Sequence, residues 1–272
     1  MKVTVVHNYL DNIGGAERVA LTLARDLSAP LFSTAVDNSK MKKLGFSTKN
    51  VFSIGSVPKN APFRQQIASF RFHFFKQPSS SECLIISGDW ALAAAQKNNP
   101  VIWYVHSPIR EIWDLYKYTR KNSVPFFLRP IFDIWVLCNR LLNKYYVKKV
   151  DTIVCNSKNV KERIKKYLGR DATVVYPPVE TKNYFYKKNG DFWLSVNRLI
   201  THKRIELQMK AFEKLPDEKL VIVGSYEHSR HFLKYKKYLE SIKPTNVTIL
   251  HWVSDEKLKD LYSECKGFIT TS

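Results

Sequence analysis

Short apolar runs recur along the chain, with helix-period stretches between them. Val3–His7, Leu31–Val36, Val51–Ile54, Leu84–Ser87, Val101–Val105, Thr152–Cys155 and Thr173–Tyr176 read as strands buried on both faces. The intervening segments, Gly15 to Leu27 among them, carry apolar residues at spacings that give a helix one buried side. Such alternation predicts a parallel, doubly wound sheet. At Tyr176-Pro-Pro-Val-Glu-Thr-Lys-Asn183 successive prolines fix an extended backbone and interrupt the series, so a domain linker is expected there. A second series follows, with strands near Phe192–Val196, Leu220–Val223, Val247–Leu250 and Gly267–Thr270 and helices at 204–214, 230–241 and 255–262. The expected fold is α/β with two doubly wound domains, residues 1–175 and 176–272.

Two strand-to-helix turns carry candidate chemistry. After Phe192–Val196, the residues Ile205, Leu207, Met209 and Phe212 recur at spacings that a helix could bury, and Arg198 and Lys203 fall in the turn before it. Free backbone N–H groups and the helix dipole favour anions at such a place, so two cations there suit a diphosphate. A solvated basic loop is the alternative reading of the same spacing. Gly14 and Gly15 occupy the turn after the first strand, where glycine lets the backbone approach a ligand closely. A plain turn would use the same residues, and the three-glycine dinucleotide pattern is absent. His106 follows the strand Val101–Val105 and precedes Ser107-Pro108, which puts it at the carboxyl edge where open α/β sheets bind ligands; a structural histidine is the alternative.

Charge narrows the range of partners. The 272 residues hold 44 Lys and Arg against 24 Asp and Glu, a formal excess of +20 that implies an anionic partner: nucleic acid, an anionic membrane surface or a nucleotide sugar. The basic residues are dispersed, as in Lys161 to Lys166 and Lys234 to Lys237, without a zinc-finger or RNA-recognition signature, so no specific nucleic acid is expected. The most apolar stretch, Val124 to Leu142, is interrupted by Arg129, Pro130, Asp133 and Arg140 and is no membrane span. It reads either as a helix lying on a bilayer or as one packed on its own domain. Cys83, Cys138, Cys155 and Cys265 show no metal-ligand spacing and read as reduced core thiols, with no metal expected. The first strand begins after a single lysine with no signal-peptide pattern, so the expected location is cytoplasmic, peripheral on the inner face of the plasma membrane.

Six segments, in order, make the chain similar to the GT-B glycosyltransferases of the family-four type: Asn12-Ile-Gly-Gly-Ala-Glu-Arg18; Trp103-Tyr-Val-His-Ser-Pro-Ile-Arg110 with Trp113-Asp114; Asp151-Thr-Ile-Val-Cys-Asn-Ser-Lys158; Val175-Tyr-Pro-Pro-Val179; Ser195 to Phe212; and Val247 to Ser272. The resemblance implies two Rossmann-like domains, a nucleotide-diphosphate sugar held mainly by the second and a glycan or lipid-linked acceptor on the first. It further implies retaining, metal-independent transfer of a hexosyl group, with no cofactor. It casts Arg198 and Lys203 as the pair that neutralises the leaving diphosphate, and His106 as a histidine touching the donor sugar. Gly14, Gly15 and Glu17 match a loop closing near the phosphates, although a carboxylate in a helix's first turn is also a good dipole partner. Gly224 stands where relatives have a glycine turn beside the nucleotide, whose second glycine is missing here. Catalysis would thus rest on His106, Arg198 and Lys203, and substrate binding on Gly14, Gly15, Glu17, Arg198, Lys203 and Gly224. The segment from Ser107 to Asp114 resembles the mannosyltransferase-like branch, which suggests GDP-mannose as donor. Relatives continue past the strand at 267–270 into a loop with two glutamates and a crossover helix, so the second domain is expected to be incomplete. An acceptor-binding fragment completed by a partner chain is the second reading, and a basic nucleic-acid-binding α/β protein the third.

Overall fold

The structure is a computed structural model that describes every residue except 13, 44, 60–62, 180, 227–229, 252 and 272, and all but the side chains of 230–232. It forms two compact units, Met1–Pro178 and Val179–Ser272.

The first unit is built on strands β1 (Val3–Leu10), β2 (Leu31–Val36), β3 (Val51–Ser53), β4 (Cys83–Ile86), β5 (Val101–Val105), β6 (Thr152–Cys155) and β7 (Thr173–Val174). They pair in the order β3-β2-β1-β4-β5-β6-β7, every pair parallel. The chain adds strands outward from β1 in one direction, then returns to add β4 on its other side, so β1 and β4 flank a topological switch point. Side chains alternate across the sheet. Val5 and Leu31 therefore face the helix Gly15–Asp26 through Leu21 and Ala24, whereas Val6, Leu84, Ile86 and Trp103 face the opposite layer.

That opposite layer has an unusual inner lining. A single 3-10 helix, Ala91–Gln96, buries Ala91, Leu92, Ala93, Ala94 and Ala95, and the helices Phe63–His73 and Arg129–Val147 both lie against it. The helix Arg129–Val147 buries Val136, Asn139, Asn143, Tyr146 and Val147. The segment read as either bilayer-bound or self-packed thus packs one face on its own unit. Its other face holds Cys138, which is exposed; the reading of all four cysteines as core thiols fails at this position. Position 138 lies on the opposite side of the helix from Val136 and Asn143, whereas Cys83 and Cys155 sit inside strands and are buried, with thiols held above their ordinary pKa by desolvation. The helix Lys158–Leu168 illustrates local encoding: the Ser157 hydroxyl accepts the Val160 N–H at 3.3 Å, and Gly169 ends the helix at φ 67°.

The second unit has strands β8 (Phe192–Val196), β9 (Lys219–Val223), β10 (Val247–Leu250) and β11 (Gly267–Phe268), all parallel, in the order β10-β9-β8-β11. Helices Ile205–Glu213, Arg230–Ile242 and Asp255–Glu264 alternate with them. Leu199, Ile205, Met209, Phe212, Leu220, Ile222 and Leu239 form its main core. Leu207 is not in it: it is exposed, and Gln208 is buried in its place. Ile205, Gln208, Met209 and Phe212 form the three-four spaced stripe, and position 207 falls off that stripe. The last strand is shorter than the expected Gly267–Thr270 and pairs Gly267 and Phe268 with Trp193 and Leu194. The α/β architecture of two Rossmann-like sheets is the one that the alternation predicts.

Candidate active site

In the first unit the carboxyl ends of β1, β4 and β5 gather polar residues at the switch point. His7 is buried in β1, and its Nδ1 is hydrogen-bonded to the Ser87 carbonyl just after β4. Its Nε2 lies 3.5 Å from one carboxylate oxygen of Glu17, while the other accepts the Gly14 N–H at 2.8 Å. Burial works against a charge on Glu17, yet the His7 contact and backbone N–H groups outweigh it and hold the carboxyl below its usual pKa. Glu17 therefore ties the glycine turn to the sheet as well as serving the helix start.

His106 completes the cluster. Its Nε2 is 3.0 Å from the Ser87 hydroxyl, its ring meets that of His7 edge-on at 6.2 Å between centroids, and its carbonyl accepts the Asn156 side-chain N–H at 3.1 Å. Burial, reinforced by His7, lowers its pKa to about 4. At neutral pH it is an uncharged imidazole that can donate or accept a hydrogen bond but supplies no cation. The loop that follows is fixed by Ile109 and Ile112, packed with Trp90 and Val136, and by the Arg110–Asp114 ion pair at 2.7 Å.

Asn8 and Asp89 join β1 to β4 at the same edge. The Asn8 amide donates to Asp89 at 2.5 Å and accepts the Ala91 N–H at 2.7 Å. Gly88 makes this approach possible, since a Cβ there would lie 2.4 Å from the Asn8 oxygen. Desolvation raises the Asp89 pKa against these hydrogen bonds. Beside the cluster opens a cavity of about 540 Å³ lined by Tyr9, Asp11, Glu17, Lys40 and Arg64 among others. The Arg64 guanidinium stacks 4.0 Å from the Tyr9 ring centroid and pairs with Asp11 at 2.7 Å.

In the second unit the turn after β8 is organised through its backbone. The Asn197 and Leu199 N–H groups bond to the carbonyls of Val223 and Ser225, each at 3.0 Å, and the Gly224 N–H bonds to that of Leu250 at 2.9 Å. These bonds tie together the carboxyl ends of β8, β9 and β10. Leu199 and Ile200 are buried and anchor the turn, while Arg198 is exposed and Lys203 half-exposed. A 3-10 turn at Thr201–Lys203 leads to Arg204 at φ 52° and then to the helix Ile205–Glu213. The Thr271 hydroxyl donates to the Lys203 carbonyl at 2.7 Å and accepts the Gln208 amide at 2.9 Å. Gly224 has a structural reason of its own: a Cβ there would lie 1.8 Å from the Asn197 carbonyl oxygen.

The structure thus brings Gly14, Glu17 and His106 together around His7 and Ser87, and Arg198, Lys203 and Gly224 together at the end of β8. Gly15 opens its helix with empty space where a side chain would stand. Ile13 and Ser272, within the matched segments, lie outside the described residues. The sequence alone does not single out Asn8, Ser87 or Asp89, and it gives His7 no role. Their signal is His7-Asn8 in β1 and Ser87-Gly88-Asp89 just after β4, polar residues following the apolar runs of the two strands flanking the switch point.

Comparison with known proteins agrees with this fold. The model "Glycosyltransferase Family 4" matches residues 13–183, and "Glycosyl transferases group 1" matches 178–272. The chain is 32% identical to the alpha-1,3/1,6-mannosyltransferase ALG2 of Candida glabrata in an alignment of 152 residues that covers 49% of this chain, and 31% identical to that of Saccharomyces cerevisiae in an alignment of 147 residues that covers 45% of it. These alignments span 31% and 29% of those relatives, about a third of their length. Among solved structures, Anabaena HepE in complex with UDP and glucose superposes with a TM-score of 0.69 at 12% identity, covering 100% of this chain and 74% of that one. The lipopolysaccharide outer core galactosyltransferase WaaB superposes with a TM-score of 0.63 at 17% identity, with 100% and 74% covered. With one family model covering more than half of its residues, the chain belongs to glycosyltransferase family 4.

Proposed function

We propose that this chain transfers a hexosyl group, mannosyl from GDP-mannose in the first instance, from a nucleotide-diphosphate sugar to a glycan or lipid-linked acceptor at the cytoplasmic face of a membrane. The transfer retains the anomeric configuration and needs no metal. The observation that supports it furthest is the turn after β8, which places exposed Arg198 and half-exposed Lys203 just before the helix Ile205–Glu213 while its backbone is pinned to the neighbouring strand ends. A diphosphate leaving group gains negative charge as the glycosidic bond breaks, and cations fixed beforehand stabilise that charge without reorganising. Family membership and the likeness to HepE, whose structure holds UDP and glucose, support the donor class; the ALG2 relatives support mannose. In the first unit, the uncharged His106 imidazole is a hydrogen-bonding group suited to a sugar, and Gly15 leaves its helix start open to a ligand.

Titration calorimetry with GDP and UDP tests the reading. Arg198→Ala and Lys203→Ala should each weaken nucleotide binding at least about tenfold, because each removes a charge-assisted contact. Arg198→Lys should also weaken it, since an ammonium does not reproduce the guanidinium fork. Equal affinities for wild type and both alanine variants would refute the assignment.

A further inference from the structure

The helix Arg129–Val147 is more apolar on its outer face than on its inner one. The inner side carries two asparagines, Asn139 and Asn143, whereas Ile131, Ile134, Leu137 and Leu141 point away from the unit. Ile131, Ile134 and Leu141 are 65%, 64% and 63% exposed. Just before the helix, Phe126 and Phe127 are 80% and 76% exposed. The neighbouring helix Phe63–His73, joined to it by the His73–Tyr146 hydrogen bond at 3.0 Å, adds exposed Phe70 and, just beyond its end, Phe74. Single exposed apolar residues are ordinary, but a contiguous face of this kind marks a surface that is covered in use.

The surrounding charge identifies what covers it. From Tyr116 to Lys149 the sequence has one acidic residue, Asp133, and the Arg120 guanidinium at 2.8 Å and the Tyr116 hydroxyl at 2.8 Å already occupy it. Lys117, Lys121, Lys144, Lys148 and Lys149 are exposed around the apolar face. A second copy of the chain would bring this positive rim against itself. An anionic phospholipid surface satisfies both parts, since the apolar side chains enter the acyl boundary while the ammonium groups meet headgroup phosphates. Among the described residues no helix is long and apolar enough to cross a membrane, so the face lies on the bilayer and does not span it.

We infer that the first unit docks on anionic lipid through the outer face of Arg129–Val147, with Phe126 and Phe127 as its deepest contacts. The inner side of the same helix holds the loop after His106: the Arg140 guanidinium donates to the Ile112 carbonyl at 2.7 Å, and the Trp113 indole N–H donates to Asn143 at 3.2 Å. Docking therefore presents the cluster around His106 at a fixed orientation to the lipid, where a lipid-linked acceptor would be found. The lipid contact does not depend on the nucleotide assignment, and its test contains no nucleotide.

The full chain is sedimented with vesicles of phosphatidylcholine alone or mixed with phosphatidylglycerol, at low and high salt. Binding should require phosphatidylglycerol and weaken as salt screens the lysines. The triple variant Ile131→Ser, Ile134→Ser, Leu141→Ser should bind at least about tenfold more weakly. The variant Lys148→Glu, Lys149→Glu should also lose at least about tenfold. Thermal melting of both variants should match wild type, since every substituted side chain is exposed. Equal sedimentation of wild type with both kinds of vesicle, no sedimentation with either, or unchanged binding by the triple variant would overturn the inference. So would a lipid-free dimer of the wild type that the triple variant splits into monomers, because the face would then belong to a second copy.

Discussion

The two units handle polar groups in opposite ways. At the carboxyl edge of the first sheet the functional side chains are drawn inward: His7 is buried and His106 partly so, and desolvation holds the His106 imidazole uncharged at neutral pH. At the edge of the second sheet Arg198 is exposed, and it is the backbone beneath it that is organised, by bonds from Asn197, Leu199 and Gly224 to the neighbouring strand ends. A buried imidazole works by orientation and a fixed tautomer, so its contribution is coupled to pH and to folding. An exposed guanidinium works by its charge on a ligand, and that attraction strengthens when the bound ligand excludes water.

The sharpest way to break this contrast is at the cationic turn. Replacing Arg198 or Lys203 by alanine should cut turnover with nucleotide sugar roughly a hundredfold to a thousandfold. A large loss of stability in Arg198→Ala would show that the guanidinium holds the fold rather than the ligand.

The next effect belongs to His106. Its folded-state pKa of about 4 lies below the ordinary value of 6.5, so on acidification the unfolded chain takes up this proton first. Its contribution to stability is complete above pH 6.5 and is lost as pH falls towards 4. Each tenfold difference in proton affinity between the folded and unfolded chain is worth about 1.4 kcal/mol, which makes the whole contribution on the order of 3 kcal/mol. Asp89, with its raised pKa, acts in the opposite sense. The comparison is therefore made between wild type and His106→Gln: urea midpoints over this range should fall less steeply in the variant. Parallel slopes would mean that His106 is protonated alike in both states.

A smaller effect tests the backbone side of the contrast. Gly224→Ala places a methyl group against the Asn197 carbonyl and should cost about 1–3 kcal/mol in denaturant unfolding of the second unit. Smallest of all, Leu207→Gln should change stability by less than about 0.5 kcal/mol, since Leu207 is exposed. A loss several times larger would put Leu207 in contact with something that the single chain does not show.

Legibility in the sequence followed the same division. The strands were readable because both faces of each parallel sheet are covered, so that Cys83–Ile86 and Val101–Val105 appear as unbroken apolar runs. The cationic turn was readable because Arg198 and Lys203 stand out between a strand and a helix. The His7–Ser87–His106 cluster was less so, because its members lie 80 and 19 residues apart and are joined by strand order, which no local pattern carries. Leu207 and Gln208 show a further limit: apolar character assigned burial to the wrong one of two adjacent residues, where the position of Met209 and Phe212 on the helix decided it. Cys138 failed for a related reason, since its apolar neighbours on Arg129–Val147 are themselves exposed.

The alanine-rich 3-10 helix Ala91–Gln96 has a consequence for how this molecule can change. Because the helices Phe63–His73 and Arg129–Val147 both rest on side chains of one carbon, the height and tilt of the outer surface are set by the thinness of the layer beneath. A leucine at Ala93 or Ala94 would leave every outward residue in place and yet lift the two helices apart. The contour of that exterior is thus inherited from residues that no solvent, lipid or substrate touches.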